Sequence, residues 1–214
     1  TADARVHLLG SIVRLCESTN IGGAVYLVGN GGSAVLLLTS STLDSNKGTH
    51  GGAVFVTSGG KVEVAEGTTS YLKNNIADSF GGGILITSME DNVRESILHL
   101  LGGKNIFRGN NAEDPEQMEC RTICRRSGTD DVNEGDVNSK VVFDICPPNT
   151  WYNEMAIGID EDFEGCPQRC LGNTVAPGFA SRSSEDVCSP CSAGSTYCTA
   201  GNDGCNPTYD DCRK

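Results

Sequence analysis

The stretch Leu72-Lys73-Asn74-Asn75-Ile76-Ala77-Asp78-Ser79-Phe80-Gly81-Gly82-Gly83-Ile84 joins two short motifs. One is an apolar residue three positions before an asparagine, and the other is a glycine pair that precedes an apolar run. The glycine motif recurs at intervals of 29 and 30 residues, starting at Gly22, Gly51 and Gly81. The asparagine motif recurs as Leu43 to Asn46, Leu72 to Asn75 and Phe107 to Asn110. Because the two motifs share one period, the chain is predicted to consist of structural repeats.

Each repeat also holds a run in which apolar and polar residues alternate, such as Val62-Glu63-Val64 and Leu98-His99-Leu100. Alternation with a period of two predicts a strand with one buried face. In the earlier repeats the buried residues of this run are predicted to be Val35 and Leu37, and Val6 and Leu8. With the two motifs, this run gives three short strands per repeat.

A repeat of this size cannot bury its apolar face alone, but it can when equivalent strands of successive repeats pair in parallel. The sequence therefore predicts an all-β fold, a right-handed parallel β-helix with a disulfide-rich irregular C-terminal tail. Stacking should form ladders of inward-facing residues, such as Val25, Val54 and Ile84. It should also bring three asparagines to one corner, where amides can hydrogen-bond along the stack: Asn46, Asn75 and Asn110.

The stretch from Leu72 to Ile84 resembles the paired F-x-x-N and G-G-A-I repeats of polymorphic outer-membrane and related pectin-lyase-like β-helix surface proteins. The resemblance covers roughly residues 5 to 112. It departs from the family pattern at Leu43 and Leu72, where phenylalanine is usual, and at Gly83, where alanine is usual. The resemblance implies a β-helix and a location at the cell surface rather than a particular activity.

The repeats are predicted to end at Ala112, where Glu113-Asp114-Pro115-Glu116 interrupts the pattern. Residues 1–112 would then form the β-helix, and residues 113–214 an acidic, cysteine-rich tail that could cap its last repeat. The net charge is −12, of which the residues after Ala112 carry −11. An acidic surface disfavours binding to nucleic acid and to anionic membranes.

Ten of the eleven cysteines lie in the predicted tail, and this density is typical of a disulfide framework in a secreted protein. Zinc is the alternative explanation of the Cys188-x2-Cys191 spacing. Cys16 is the remaining cysteine and is predicted to be unpaired. The disulfide candidates are Cys120, Cys124, Cys146, Cys166, Cys170, Cys188, Cys191, Cys198, Cys205 and Cys212.

Few residues are candidates for chemistry. Three acids lie on or near predicted strands but not at equivalent positions, which disfavours a pair of catalytic carboxylates: Asp44, Glu63 and Asp78. No catalytic residue and no cofactor is predicted. Calcium is an alternative for two acidic stretches of the tail, Asp130 to Asn138 and Asp160 to Glu164, which otherwise form solvated loops.

Strand alternation also predicts an outward-facing apolar column of Tyr26, Phe55 and Leu85, covered by the tail or by another subunit. No apolar run is long enough to span a bilayer. The sequence therefore predicts a secreted, non-enzymatic structural or adhesive protein that binds proteins or itself at the cell surface. The alternatives are a carbohydrate-active β-helix enzyme and a glycan-binding adhesin.

Overall fold

The computed structural model describes residues 3–29, 33–88, 95–101, 103–113, 121–127 and 139–143, and short segments at 150–151, 158–159, 163–164, 168–169, 174–175, 189–190, 196–198 and 211–213. The regular structure of these residues is β-strand throughout, so the predicted all-β class is confirmed. No helix that could cross a bilayer occurs in this part of the chain.

The strands up to residue 143 are β1 (Ala4–Leu9), β2 (Ile12–Arg14), β3 (Val25–Val28), β4 (Ala34–Thr39), β5 (Thr42–Asp44), β6 (Lys47–His50), β7 (Val54–Thr57), β8 (Gly60–Val64), β9 (Thr68–Lys73), β10 (Ile76–Phe80), β11 (Ile84–Ser88), β12 (Ser96–Leu100), β13 (Gly103–Arg108), β14 (Asn111–Ala112), β15 (Ile123–Ser127) and β16 (Ser139–Phe143). The later strands are β17 (Thr150–Trp151), β18 (Gly158–Ile159), β19 (Phe163–Glu164), β20 (Gln168–Arg169), β21 (Thr174–Val175), β22 (Ser189–Pro190), β23 (Thr196–Cys198) and β24 (Asp211–Arg213).

Strands β1 to β16 form four parallel sheets. Sheet A has the order β1-β4-β8-β12-β16, sheet B β2-β5-β9-β13, sheet C β6-β10-β14 and sheet D β3-β7-β11-β15. The chain passes through sheets A, B, C and D in turn and then returns to sheet A. One such pass is called a repeat below. Each strand therefore pairs with its equivalent in the next repeat, as the common period of the two motifs predicts.

The repeat has four strands where the sequence predicts three. The asparagine motif separates two strands, β9 and β10, because Asn74 between them has a left-handed backbone with φ of 54°. The residue at this position is left-handed in every repeat, at Leu15, Ser45, Asn74 and Gly109. A left-handed residue turns the chain sharply, so the motif forms a corner with a strand on each side.

The inward-facing ladder predicted in sheet D is confirmed, since Val54 pairs with Val25 on one side and with Ile84 on the other. In sheet A, Val35 is buried as predicted, at 7% exposure, but the prediction of Leu37 as a buried residue is wrong. Leu36 pairs with Val62 and is fully buried, whereas Leu37 pairs with Glu63 on the outer face. Residues 35–38 are all apolar, so the sequence alone does not show which of these side chains face the core. The pairing with the next strand decides which face is inside.

One hydrophobic core runs between the sheets through all the repeats. Its fully buried side chains include Leu43, Leu72 and Phe107, which are consecutive residues of one column in sheet B. Burying one such side chain contributes about 1.5–3 kcal/mol. Because every repeat adds apolar residues to the same columns, the core grows with the number of repeats.

The corner between sheets B and C contains a ladder of buried asparagines. Asn46 Nδ2 donates to Asn75 Oδ1 at 2.9 Å, and Asn75 Nδ2 donates to Asn110 Oδ1 at 2.9 Å. The equivalent residue in the first repeat is Cys16, whose N–H donates to Asn46 Oδ1 at 3.1 Å. The amides thus satisfy backbone groups that a sharp corner removes from the sheets.

A second polar ladder fills the corner between sheets A and B. The N–H of Ser11 donates to Ser41 Oγ at 3.1 Å, and the N–H of Ser41 donates to Ser70 Oγ at 3.3 Å. Ser41 and Ser70 are buried. The serine hydroxyl groups therefore accept hydrogen bonds from backbone N–H groups at this corner, as the asparagine amides do at the next corner.

The glycine pairs form the corner between sheets C and D, where adjacent repeats are in close contact. A Cβ atom on Gly52 would lie 2.1 Å from the carbonyl oxygen of Gly82, and one on Gly23 would lie 2.1 Å from that of Gly52. Real Cβ atoms do not approach an oxygen this closely. The second glycine of each pair is therefore required by the stacking of one repeat on the next.

Parallel pairing continues beyond Ala112, the predicted end of the repeats. Strand β15 pairs with β11, and β16 pairs with β12. Here Arg121 and Thr122 take the place of glycines next to Ile123, and Ile84 is separated from its partner Ile123 by 39 residues. The motif and the period are both lost at this point although the strands are kept.

Beyond β15 and β13, two short strands pair antiparallel with the stack. Strand β18 pairs with β15 in sheet D, and β19 pairs with β13 in sheet B. Ile159 of β18 packs against the hydrophobic core. This end of sheets B and D is therefore covered by the chain itself.

Candidate functional site

The outer column predicted at Tyr26, Phe55 and Leu85 lies in register in sheet D. Exposure falls steadily along it, from 47% at Tyr26 to 8% at Phe55 and 2% at Leu85. The next residue of the column is Cys124, which is fully buried. Most of this column is thus covered within the chain, and only Tyr26 at its start is open to solvent.

A second column borders the first across the glycine corner. It consists of Ile21, His50 and Phe80, which are paired in sheet C. Ile21 and Phe80 pack against the cluster formed by Phe55, Leu85 and Cys124. The outer faces of sheets C and D therefore meet at this corner and share a small hydrophobic cluster, which is called the corner cluster below.

Two aromatic contacts order the corner cluster. The rings of Tyr26 and Phe55 are edge to face, with centroids 5.5 Å apart, and the rings of His50 and Phe80 are stacked at 5.6 Å. The second column, Ile21, His50 and Phe80, was not predicted from the sequence. A signal for it exists, because each of its residues stands immediately before a glycine pair.

The three acids considered for catalysis lie on three different sheets. Asp44 is in sheet B, Glu63 in sheet A and Asp78 in sheet C. Each one forms an ion pair with a lysine: Lys73 at 3.5 Å, Lys61 at 2.7 Å and Lys47 at 3.0 Å, respectively. The structure does not bring these carboxylates together, so they do not form the pair that glycoside hydrolysis requires.

Asp44 is held in its ionised form. Burial alone would raise the pKa of this carboxyl, but hydrogen bonds from Asn74 and Ser45 and the charge of Lys73 outweigh it and lower the pKa below its ordinary value. Asn74 Nδ2 donates to Asp44 Oδ1 at 3.1 Å. An ionised, hydrogen-bonded carboxylate is suited to an ion pair rather than to donating a proton as a general acid.

The histidines do not converge on a metal site. His7 and His99 belong to one outer column of sheet A, but Leu37 and Glu63 lie between them. Three strand spacings correspond to about 14 Å. In the part of the chain that the structure describes, no group of three metal-ligating side chains is close enough to hold an ion. The two acidic stretches considered for calcium, at 130–138 and 160–164, have no described side chains.

Two cysteines have described side chains. Cys16 is a partly buried free thiol at the start of the asparagine ladder. Cys124 is disulfide-bonded and belongs to the corner cluster. The side chains of the other nine disulfide candidates lie outside the described residues, so the framework of the tail stays a prediction.

Comparison of the chain with protein-family models, with curated proteins and with solved structures gave no match. The properties of the corner cluster and of the outer columns are therefore inferred from their own geometry.

Proposed function

We propose that this chain is a secreted structural or adhesive protein of the cell surface, in which a right-handed parallel β-helix serves as a rigid rod. The observation that carries the proposal is the continuous parallel pairing of equivalent strands in successive repeats. Sheets A and D keep parallel pairing over five and four strands, respectively, despite insertions between the strands. A stack of this kind resists bending because each repeat is bonded to the next on several sides.

The side chains of the stack support a mechanical role. Buried amides and hydroxyls form ladders at two corners, and the outer acids form ion pairs with lysines. The two ladders and two of the ion pairs, Lys47 with Asp78 and Lys73 with Asp44, join adjacent repeats, whereas Lys61 and Glu63 pair within one strand. A catalytic site would instead require titratable groups that converge on one place with perturbed pKa values.

The cysteines support a location in an oxidising compartment. Ten of eleven lie between Cys120 and Cys212, and Cys124 is disulfide-bonded. A disulfide at the corner cluster would fasten the tail to the rod, so that the tail could act as a cap or as a docking module. Partners would then be other proteins or further copies of this chain.

The test is electron microscopy of the native assembly, with the chain located by a labelled antibody. The expected result is an ordered surface layer, fibre or adhesive structure that contains the chain. In parallel, the purified full chain is incubated with a panel of neutral and acidic polysaccharides. Depolymerisation of any of them by a homogeneous preparation would replace the proposal with the enzymatic alternative, and tight binding without cleavage would favour a glycan-binding adhesin.

A further inference from the structure

The outer face of sheet B carries an exposed aromatic side chain beside basic ones. Tyr71 is 38% exposed although it lies inside the stack, with a paired strand on each side. Lys73 lies two residues farther along the same strand, and Arg108 pairs with Lys73 in the next repeat. Arg108 is exposed and forms no ion pair within the described part of the chain. Tyr71, Lys73 and Arg108 are called the basic face below.

Basic residues on the other outer faces are neutralised more fully. In sheets A and C, Lys61 and Lys47 form ion pairs at 2.7 and 3.0 Å, respectively. In sheet B, Lys73 also has an acidic partner, at 3.5 Å. The strand beside it, β13, contains two further basic residues, Lys104 and Arg108, and no acid. Sheet B therefore has an excess of positive charge on neighbouring strands of a chain that is acidic as a whole.

The acidic residues of the stack are concentrated at the corner between sheets D and A. One insertion, residues 89–95, connects β11 to β12, and another, residues 128–138, connects β15 to β16. Because β11 pairs with β15 and β12 pairs with β16, the two insertions begin and end beside each other. They are called the acidic insertions below. Against one basic residue they contain seven acids: Glu90, Asp91, Glu95, Asp130, Asp131, Glu134 and Asp136.

The acidic insertions are too short to cover the basic face of their own chain. The longer one has eleven residues and is tied to the stack at both ends. A segment of this length that leaves the stack and returns to it reaches at most about 20 Å. Sheet A lies between this corner and sheet B, and its strands of five or six residues take up about 16–20 Å of that reach. An insertion that covers a basic face therefore belongs to another copy.

We propose that the basic face binds the acidic insertions of a second copy of this chain, so that two rods associate side by side. Under the function proposed above, on which this contact rests, the basic face is where copies of the rod meet. The two surfaces have opposite charge and lie on different sides of the stack, so each copy offers both. Tyrosine and arginine are also the residue types that contribute most at the centres of protein interfaces.

The net charge of −12 does not prevent this contact at moderate salt. At about 0.1 M salt the Debye length is about 10 Å, so repulsion between distant charges of two copies is largely screened. Charges that touch across an interface are screened less. The arrangement of charge on the two surfaces therefore outweighs the net charge of the chain.

Sedimentation velocity of the full chain tests the contact. At about 0.1 M salt the unchanged protein should form species larger than the 22.5 kDa chain, and about 0.5 M salt should dissociate them. Arg108→Glu should raise the Kd of association at least about tenfold. Lys140→Glu is the matched control, because it makes the same charge change at an exposed position of sheet A and should not weaken association. Tyr71→Ser, which keeps every charge, should raise the Kd at least about threefold.

A mixture of two variants shows which surfaces meet. The first variant, Arg108→Glu, keeps the acidic insertions. The second keeps the basic face and neutralises the longer insertion by four substitutions: Asp130→Asn, Asp131→Asn, Glu134→Gln and Asp136→Asn. The mixture should associate more tightly than either variant alone, because the insertions of the first can still bind the face of the second.

Thermal unfolding of each variant checks that the stack is retained. Several results would overturn the proposal: an unchanged protein that stays monomeric at about 0.1 M salt, an association that Arg108→Glu and Tyr71→Ser leave intact or that Lys140→Glu weakens equally, or a mixture no tighter than its components. Depolymerisation of a polysaccharide would instead overturn the proposed function without changing these sedimentation results.

Discussion

Asn46 donates twice to the same oxygen of Asn75, from its side-chain amide at 2.9 Å and from its backbone N–H at 3.0 Å. The two residues are 1% and 0% exposed, so water does not replace these bonds. Asn75 repeats the arrangement with Asn110. The ladder therefore couples each repeat to the next through groups that neither repeat could satisfy alone.

Asn75→Ala should destabilise the protein more than the loss of an ordinary hydrogen bond. It removes the partner of the backbone N–H of Asn46 and of the carbonyl of Leu43. Asn46 Nδ2 and Asn110 Oδ1 each lose one of two hydrogen bonds. Unsatisfied buried groups cost about 1–3 kcal/mol each, with partial relief from relaxation. We expect a loss of about 2–4 kcal/mol in the free energy of unfolding in urea. Asn111→Ala, at an exposed neighbouring position, is the control and should change it by less than about 0.5 kcal/mol.

Truncation of two neighbouring residues of β9 should lower the free energy of unfolding by very different amounts. Leu72 is 1% exposed and lies in the core, whereas Tyr71 beside it is 38% exposed on the outer face. Leu72→Ala should cost about 2–5 kcal/mol because it leaves a cavity between Leu43 and Phe107. Tyr71→Ala should cost less than about 1 kcal/mol. Equal effects in denaturant unfolding would mean that the inward and outward faces of sheet B have been exchanged.

The recurrence of two motifs with one period was enough to predict the all-β class and the pairing of Val25, Val54 and Ile84. Recurrence fixes which residues are equivalent. It does not fix the number of strands in a repeat, because a corner made by one left-handed residue such as Asn74 leaves no break in composition. This is why one predicted strand became two, β9 and β10.

Two features of the structure were not predicted from the sequence, for different physical reasons. Phe55 and Leu85 were expected to be covered by the tail or by another subunit, whereas Ile21 and Phe80 approach them across the glycine corner. That contact depends on the angle between sheets C and D, which alternation within a strand does not encode. The strands after Ala112 were missed because their partners are separated by long, polar insertions.

Replacing glycines of the stack by alanine should cost different amounts of stability. The backbone angle φ alone does not predict which substitution costs more. Gly67 has φ of 67° but nothing within 4 Å of the position of a Cβ atom, whereas Gly52 would place its Cβ 2.1 Å from Gly82 O. Gly67→Ala should cost about 1–2 kcal/mol for the left-handed backbone. Gly52→Ala should cost more, because two repeats must separate. Thermal unfolding that ranks Gly67→Ala as the more harmful substitution would contradict close stacking at this corner.

The ion pair of Asp44 should contribute to stability at neutral pH and less in acid. The folded-state pKa of this carboxyl is lowered. As the pH falls, the carboxyl of Asp44 is therefore protonated at a higher pH in the unfolded chain than in the folded chain. The contribution is present above about pH 4, the ordinary pKa of aspartate, and is lost as the pH falls through the lower folded-state value. Asp44→Asn should therefore reduce the free energy of unfolding at pH 6, by up to about 1 kcal/mol for such a partly exposed pair. The difference from the unchanged protein should shrink toward pH 3, and a difference that grew in acid would show that the pKa is raised.

The contact between the rings of Tyr26 and Phe55 should contribute to the free energy of unfolding, although Tyr26 is exposed and Phe55 is buried. Phe55 is 8% exposed and contacts Tyr26 edge to face at 5.5 Å. Phe55→Ala should cost about 3–5 kcal/mol, the usual range for a buried phenylalanine, and Tyr26→Ala much less because water already reaches it. The double variant should cost less than the sum of the two by about 0.5–1.5 kcal/mol, the energy of an aromatic pair. Unfolding in urea measures all three values.

Limited proteolysis of the same three variants tests whether the cluster also fastens the tail. Cys124 belongs to the cluster and is disulfide-bonded, so loosening the cluster at Phe55 should make the chain after Cys124 more accessible to protease while the earlier repeats stay protected. Tyr26→Ala serves as the matched control, since it alters the same column at the end remote from Cys124. If Phe55→Ala loses stability but leaves the cleavage pattern of the tail unchanged, the cluster stabilises only the corner between sheets C and D, and the tail is held elsewhere.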